Sequence, residues 1–181
     1  ACDSNCVSGK CSTTNGVCSQ CNSPYYPDGV NCLACNNIHA QCSKCSQTAK
    51  TCTACNTGYF LESGTLCTAC SSKIAGCTTC SSATVCTACT TGYYLSGSTC
   101  KACHAQCVSG KCSTTNGVCS SCNTGYYVNP SNKLQCILCD SNCASGKCNG
   151  ASGVCSQCKS PYYPDGVSCK TCNNIHTACT T

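Results

Sequence analysis

Apolar side chains other than cysteine are sparse in this chain, and those present sit beside turn residues. In Cys11-Ser-Thr-Thr-Asn15-Gly16-Val17-Cys18, an Asn-Gly pair lies between short β-tolerant flanks. That pair is preferred in a tight two-residue hairpin turn. The next stretch, Ser23-Pro24-Tyr25-Tyr26-Pro27-Asp28-Gly29-Val30, sets a tyrosine pair ahead of Asp-Gly and predicts a second small hairpin closing on Cys32. Adjacent side chains of an extended segment point to opposite faces, so the two tyrosines serve different faces. The pattern predicts two little β-loops per cysteine repeat and hardly any helix.

Cysteine spacing gives the period. Repeat one has cysteines at 2, 6, 11, 18, 21 and 32, in the pattern C-x3-C-x4-C-x6-C-x2-C-x10-C, and the next repeat opens at Cys35. This divides the chain into repeats at 2–34, 35–69, 70–102, 103–138 and 139–171, with a truncated sixth at 172–181. Five sets of six and the final pair, Cys172 and Cys179, use all 32 cysteines, so none stands apart as a reactive thiol. Repeats two and three shift their second cysteine to C-x6-C-x2-C and form a second subtype. Repeat five nearly copies repeat one: a step of 137 residues carries every cysteine from Cys2 to Cys42 onto another, and SPYYPDGV recurs at Ser160–Val167. A four-repeat period therefore overlies the single one. Two residues separate the last cysteine of one repeat from the first of the next. Joints that short favour an elongated rod of stacked two-hairpin repeats over a globule.

Composition accounts for how such a chain holds together. Val, Ile and Leu number nineteen, Phe one, and Trp and Met none, too few for a conventional hydrophobic core. Disulfides take over that role in small extracellular domains. Closing a loop of about ten residues removes roughly 2–3 kcal/mol of unfolded-state entropy. An oxidising compartment follows, hence an extracellular or cell-surface location. No signal peptide, transmembrane run or lipid-anchor signal is visible. The start without Met and the stop inside a repeat predict a portion of a longer array, with any anchor outside this segment. The formal charge of +5 comes from dispersed Lys with no Arg, which argues against a nucleic-acid partner.

The spacing of repeat one resembles the furin-like, growth-factor-receptor type of cysteine-rich repeat. Thr-Gly-Tyr-Tyr or Thr-Gly-Tyr-Phe after CxxC, at Thr57–Phe60, Thr91–Tyr94 and Thr124–Tyr127, makes the array most similar to ciliate surface immobilisation antigens. It is more loosely similar to variant surface proteins of diplomonad parasites. Six cysteines permit fifteen pairings, and spacing alone does not select one. The resemblance implies first with third, second with fourth and fifth with sixth. Carried onto this chain, it pairs Cys2 with Cys11, Cys6 with Cys18 and Cys21 with Cys32 in repeat one. In repeats two and three it pairs Cys35 with Cys45, Cys42 with Cys52, Cys55 with Cys67, Cys70 with Cys80, Cys77 with Cys86 and Cys89 with Cys100. In repeats four and five it pairs Cys103 with Cys112, Cys107 with Cys119, Cys122 with Cys136, Cys139 with Cys148, Cys143 with Cys155 and Cys158 with Cys169. Cys172 and Cys179 then need partners beyond Thr181.

Twelve CxxC pairs, such as Cys18/Cys21 and Cys52/Cys55, have the spacing of zinc or redox thiols. The extracellular composition, the hairpin turns and the resemblance favour disulfides, so no metal or cofactor is expected. His39, His104 and His176 read as surface or joint histidines. Asp3, Asp28, Glu62, Asp140 and Asp165 sit in turns and form no catalytic pair, and no nucleophile motif appears, so no enzyme is expected. The plainer reading of the tyrosine pairs packs both rings on their own repeat and the next joint. The sharper one turns Tyr26, Tyr94, Tyr127 and Tyr163 outward as a periodic stripe for self-association with neighbouring copies. Together these point to an extracellular structural protein, a coat or fibre, with a receptor-like ectodomain binding a protein ligand as the alternative.

Overall fold

The structure, a computed structural model, describes residues 1–172. Strands come in sequential pairs: β1 (Tyr25–Asp28) with β2 (Asn31–Ala34), β3 (Cys42–Cys45) with β4 (Cys52–Cys55), β5 (Tyr59–Ser63) with β6 (Leu66–Ala69), and β7 (Cys77–Ser82) with β8 (Val85–Cys89). They continue with β9 (Tyr93–Ser96) and β10 (Thr99–Ala102), β11 (Tyr126–Val128) and β12 (Cys136–Leu138), and β13 (Tyr162–Asp165) and β14 (Ser168–Thr171). Each sheet has two strands. Among the described residues, helix comprises a 3-10 turn at Cys35–Asn37, one α turn at Cys70–Lys73, α1, and a 3-10 position at Cys172.

The second hairpin of repeats one, three and five turns on a glycine. Asp28 pairs with Asn31 across Gly29-Val30, and Gly29 has φ 67° while Val30 does not enter the positive region. Glycine at the first central position is the mark of a type II′ turn, whose twist matches the flanking strands. Ser96 and Thr99 close the same way around Gly97, and Asp165 and Ser168 around Gly166.

The first loop departs from the expected two-residue Asn-Gly turn. Ser12 donates its amide to the Val17 carbonyl, and Gly16 donates to the Ser12 carbonyl at 2.8 Å, so the loop is four residues, Thr13 to Gly16. Asn15 stays at negative φ, which a type I′ turn does not allow; only Gly16, at φ 73°, crosses over. The Ser12 hydroxyl accepts from the Thr14 and Asn15 amides and caps this single helical turn. Asn149 does the same in repeat five, where Oδ1 accepts from Ala151 and Ser152 at 2.9 Å.

Both subtypes share one cysteine register. In repeat one, Cys6 bridges Cys21 and Cys11 bridges Cys18 as isolated β-bridges; in repeat two, Cys42 pairs with Cys55 and Cys45 with Cys52 in a continuous hairpin. Two extra residues between the second and third cysteines of repeat one break the strand. They form the turn Val7-Ser8-Gly9-Lys10, closed by the Lys10 amide on the Val7 carbonyl at 2.9 Å. In repeats two and three the extra residues fall between the first and second cysteines and wind into the short helices instead.

The interior is sulfur. Among the described residues the buried apolar side chains are cysteines, with Tyr26, Phe60 and Val128 the exceptions, and no polar or charged side chain is buried. The bridge from the fourth cysteine packs on that from the sixth: Cys18 and Cys32 Sγ are 3.6 Å apart, Cys52 and Cys67 3.8 Å, Cys119 and Cys136 3.7 Å, and Cys155 and Cys169 3.5 Å. The chain divides into two compact units, residues 1–88 and 89–181. The division falls inside the third cysteine repeat, between its Cys77–Cys86 and Cys89–Cys100 bridges.

Candidate functional site: bridges and joints

Every repeat is closed by three bridges. Repeat one has Cys2–Cys11, Cys6–Cys18 and Cys21–Cys32. The same order, first with third, second with fourth and fifth with sixth, runs through repeats two and three despite the shifted cysteine. It continues through repeats four and five to Cys158–Cys169. The Cα–Cα distances run from 5.4 Å at Cys35–Cys45 to 6.3 Å at Cys103–Cys112, within the ordinary span. Cys179 and His176 lie outside the described residues, and with them the pairing expected beyond Thr181.

In every CxxC from Cys18/Cys21 to Cys155/Cys158 the two cysteines belong to different bridges. Sulfurs such as those of Cys119, Cys122 and Cys136 lie within 4.8 Å of one another, close enough to suggest a metal centre. Two of the three sulfurs in that group already share a disulfide, and a metal site of this kind needs thiolates. The clustering is two bridges in van der Waals contact.

Acidic and imidazole side chains three residues before the second cysteine share one job. Asp3 Oδ1 accepts from the Asn5 amide at 2.7 Å, and Oδ2 from the Cys32 amide at 3.1 Å, fastening the head of the repeat to its last strand. Those bonds, the Asn5 amide first and Cys32 second, hold the Asp3 carboxyl below its ordinary range. Asp140 repeats the pair of bonds, to Asn142 at 2.8 Å and Cys169 at 3.2 Å. In the same place, His39 and His104 accept the Gln41 and Gln106 amides on Nδ1. From the sequence these acids are expected only in turns. Their common offset from a cysteine was the available signal.

The tyrosine pairs divide as strand alternation requires. Tyr25, Tyr126 and Tyr162 pack on the disulfide core of their own repeats, as does Tyr59. On β1, Tyr25 shares its face with Pro27, which sits opposite Cys32, while Tyr26 opposite Leu33 takes the other face. The other face is not solvent. Tyr26 is 1% exposed, and Lys50 of repeat two stands 5.9 Å over its ring. Tyr94 lies flat on Gly117 of repeat four: a Cβ there would come within 2.7 Å of the ring. Tyr127 lies likewise on Gly153 of repeat five, where a Cβ would meet Cε2 at 2.6 Å. The outward stripe is therefore corrected for Tyr26, which is buried; Tyr94 and Tyr127 rest on the next repeat and are half-buried. Tyr163 is half-buried.

Two backbone bonds accompany each ring. The carbonyl two residues past the third cysteine accepts an amide from the repeat before: Gln47 from Cys21 at 2.9 Å, Thr114 from Leu95 at 2.8 Å, and Gly150 from Cys122 at 3.0 Å and Val128 at 3.1 Å. The first cysteine of each following repeat donates to the residue just ahead of the aromatic pair, as Cys35 to Pro24, Cys70 to Gly58, Cys103 to Gly92 and Cys139 to Gly125. Glu62 of repeat two also pairs with Lys73 of repeat three at 3.2 Å. The Thr68 hydroxyl, and after it Lys73, holds the Glu62 carboxyl below its ordinary range.

The chemistry of this arrangement is that of a scaffold: oxidised sulfur inside each full repeat, a ring with amide–carbonyl bonds at the joints of Tyr26, Tyr94 and Tyr127, and an amide–carbonyl bond with an ion pair between repeats two and three. Comparison with protein-family models, curated proteins and solved structures finds no match for the chain. The bridges make it a cysteine-rich protein of an oxidising, extracellular environment.

Proposed function

We propose that the chain is an extracellular structural protein, a disulfide-laddered spacer in a cell-surface coat of the immobilisation-antigen kind, standing among neighbouring copies of itself. The observation that supports this most is the reuse of one joint. The same backbone carbonyl and the same ring position link successive repeats at Tyr26/Gln47, Tyr94/Thr114 and Tyr127/Gly150. A binding protein concentrates distinctive side chains at one place, whereas here the working parts are distributed along the array and recur at three of its joints. Lys, Ser, Thr and Asn on the outside keep such an array soluble without giving it a dominant patch.

Immunogold electron microscopy of intact source cells, together with alkylation of the isolated chain under non-reducing conditions, tests the reading. A dense continuous surface layer and bridged cysteines that resist alkylation are expected. Sparse labelling that follows a single protein ligand would replace the coat with a receptor ectodomain, and freely alkylated thiols would remove the basis of the reading altogether.

A further inference from the structure

Three Asn-Gly pairs lie in the first loops, at Asn15-Gly16, Asn116-Gly117 and Asn149-Gly150, and all three asparagines are exposed. The pairs occupy different places in the four-residue turn. In repeats one and four the glycine closes the turn: the Gly16 amide donates to the Ser12 carbonyl at 2.8 Å and the Gly117 amide to the Ser113 carbonyl at 2.9 Å. In repeat five the pair opens it. Asn149 stands where Ser12 and Ser113 stand, and Gly153 does the closing by donating to the Asn149 carbonyl at 2.8 Å. The amide just after the cap of a helical turn has no partner within that turn. Among the described residues the Gly150 amide donates no hydrogen bond. The asparagine side chains differ too. Asn149 Oδ1 accepts two amides, from Ala151 and Ser152, both at 2.9 Å, whereas Asn15 and Asn116 Oδ1 accept one each, from Val17 and Val118 at 3.1 Å.

We infer that Asn149 is a site of spontaneous modification, deamidating through a cyclic imide while Asn15 and Asn116 in the folded chain are spared. The step needs only water and hydroxide. Hydroxide takes the proton of the Gly150 amide, the nitrogen attacks Asn149 Cγ, and the Cγ–Nδ2 bond breaks with release of ammonia, the leaving nitrogen taking a proton from water. Glycine places no Cβ beside the attacking nitrogen. The negative charge that gathers on Oδ1 during the attack meets two amides already aimed at it. At Gly16 and Gly117 the same nitrogen must first give up its bond inside the turn. Water then opens the imide at either carbonyl, leaving an aspartyl or an isoaspartyl linkage. The two products act differently on the joint. An aspartyl side chain still caps the turn. An isoaspartyl linkage routes the main chain through Cβ and Cγ, a methylene longer, just ahead of Gly150, whose carbonyl holds the Cys122 amide at 3.0 Å and the Val128 amide at 3.1 Å. There is no slack at that place: a Cβ on Gly150 would stand 2.6 Å from the Cys122 carbonyl oxygen. The isoaspartyl product therefore loosens the joint between repeats four and five and leaves the joint at Tyr94 as it was. The inference stands on the turn geometry and holds whether the array is a coat protein or a receptor stalk.

Ageing the oxidised chain in mildly alkaline buffer, followed by reduction and peptide mapping with isoaspartate-specific methyl labelling, tests it. Asn149 is expected to deamidate roughly tenfold faster than Asn15 or Asn116, the factor that an amide–carbonyl bond of about 1.4 kcal/mol supplies. In a chain reduced and alkylated before ageing, the turns are lost with the bridges and the three rates draw together. Hydrogen exchange on the aged oxidised chain should show the Cys122 and Val128 amides losing protection in the isoaspartyl fraction, while the Leu95 amide, bonded to Thr114, keeps its own. Asn149→Ser, which restores the cap residue of repeats one and four, should age without that loss. Equal rates at the three sites in the oxidised chain, a faster rate at Asn15 or Asn116, or a preference for Asn149 that persists after reduction and alkylation overturns the site. An isoaspartyl fraction with full protection at Cys122 and Val128 overturns its effect on the joint.

Discussion

Two glycines in repeat four separate the worth of a joint from the worth of a turn. Gly110 and Gly117 have nearly the same backbone, φ 74° and 75°, so Ala at either position incurs the left-handed penalty of about 1 kcal/mol. Their surroundings differ. A Cβ on Gly110 meets nothing within 4 Å, whereas on Gly117 it comes within 2.7–2.8 Å of three ring carbons of Tyr94, and overpacking of that kind costs about 1–3 kcal/mol more. Gly110→Ala is therefore expected to cost about 1 kcal/mol and Gly117→Ala about 2–4 kcal/mol. A global melt is a poor readout for a repeat array, since it does not unfold as one two-state unit. Native-state hydrogen exchange at the Leu95 amide, bonded to the Thr114 carbonyl at 2.8 Å, reports this joint directly. Gly117→Ala should speed exchange there by roughly 5- to 150-fold beyond any effect of Gly110→Ala, at about 1.4 kcal/mol per tenfold. In a Tyr94→Ala background the extra cost should vanish, leaving the backbone penalty alone. Equal exchange at Leu95 in the two glycine variants, or an unchanged cost after removal of the ring, would show that the ring does not carry the joint.

Two further outcomes follow from the bridges and their caps. Replacing Cys21 and Cys32 together by Ser opens a loop with a sequence separation of 11 and is expected to cost repeat one about 3 kcal/mol, read as increased proteolysis between those positions while repeats four and five stay resistant. Equal nicking of all repeats would contradict repeat-by-repeat closure. Asp3 has a folded-state pKa below its unfolded value, so its contribution is present above the unfolded value near 3.9 and is lost as pH falls through the folded one. Below neutrality, the Cys32 amide should therefore lose exchange protection in the wild-type chain only under strongly acidic conditions, and Asp3→Asn should show no such acid step; an identical acid profile for both would remove Asp3 from the role.

Much of this was legible from residue types alone. Asp28-Gly29 after the tyrosine pair announces a small hairpin, though not that Gly29-Val30 are its central residues, and alternation within Tyr25-Tyr26 separates the ring that meets sulfur from the ring that does not. Two features were harder to see. Asn15-Gly16 carries a strong two-residue turn signal, but the Ser12 hydroxyl competes for the amides of Thr14 and Asn15 and favours a helical turn of four. Repeat five held the clue: Asn149-Gly150-Ala151-Ser152-Gly153 keeps the closing glycine without an asparagine before it, so glycine rather than the pair is the constant. The destination of the second ring was hidden for a different reason. Strand periodicity tells which face a side chain takes, and says nothing of whether water or the next repeat lies beyond that face.

The staggering of packing against cysteine count has a mechanical meaning. Bridges in the described repeats join residues 9 to 14 positions apart, and none crosses from one repeat to the next, so disulfides stabilise each repeat without linking it to its neighbour. What links neighbours is non-covalent: the second aromatic ring, the carbonyl past the third cysteine, and the amide of the next first cysteine. Because the ring belongs to the last hairpin of one repeat and its seat to the first loop of the following one, the packed body is half of each. That is why Tyr94 and the hairpin β9–β10 fall in the same compact unit as Gly117, while the first hairpin of the same cysteine repeat, β7–β8 up to Ala88, falls in the other. Toughness and alignment are thus held by different groups. Sulfur determines whether a repeat survives, and non-covalent contacts, a tyrosine seated on a glycine at the joints of Tyr94 and Tyr127 among them, determine how it meets its neighbour.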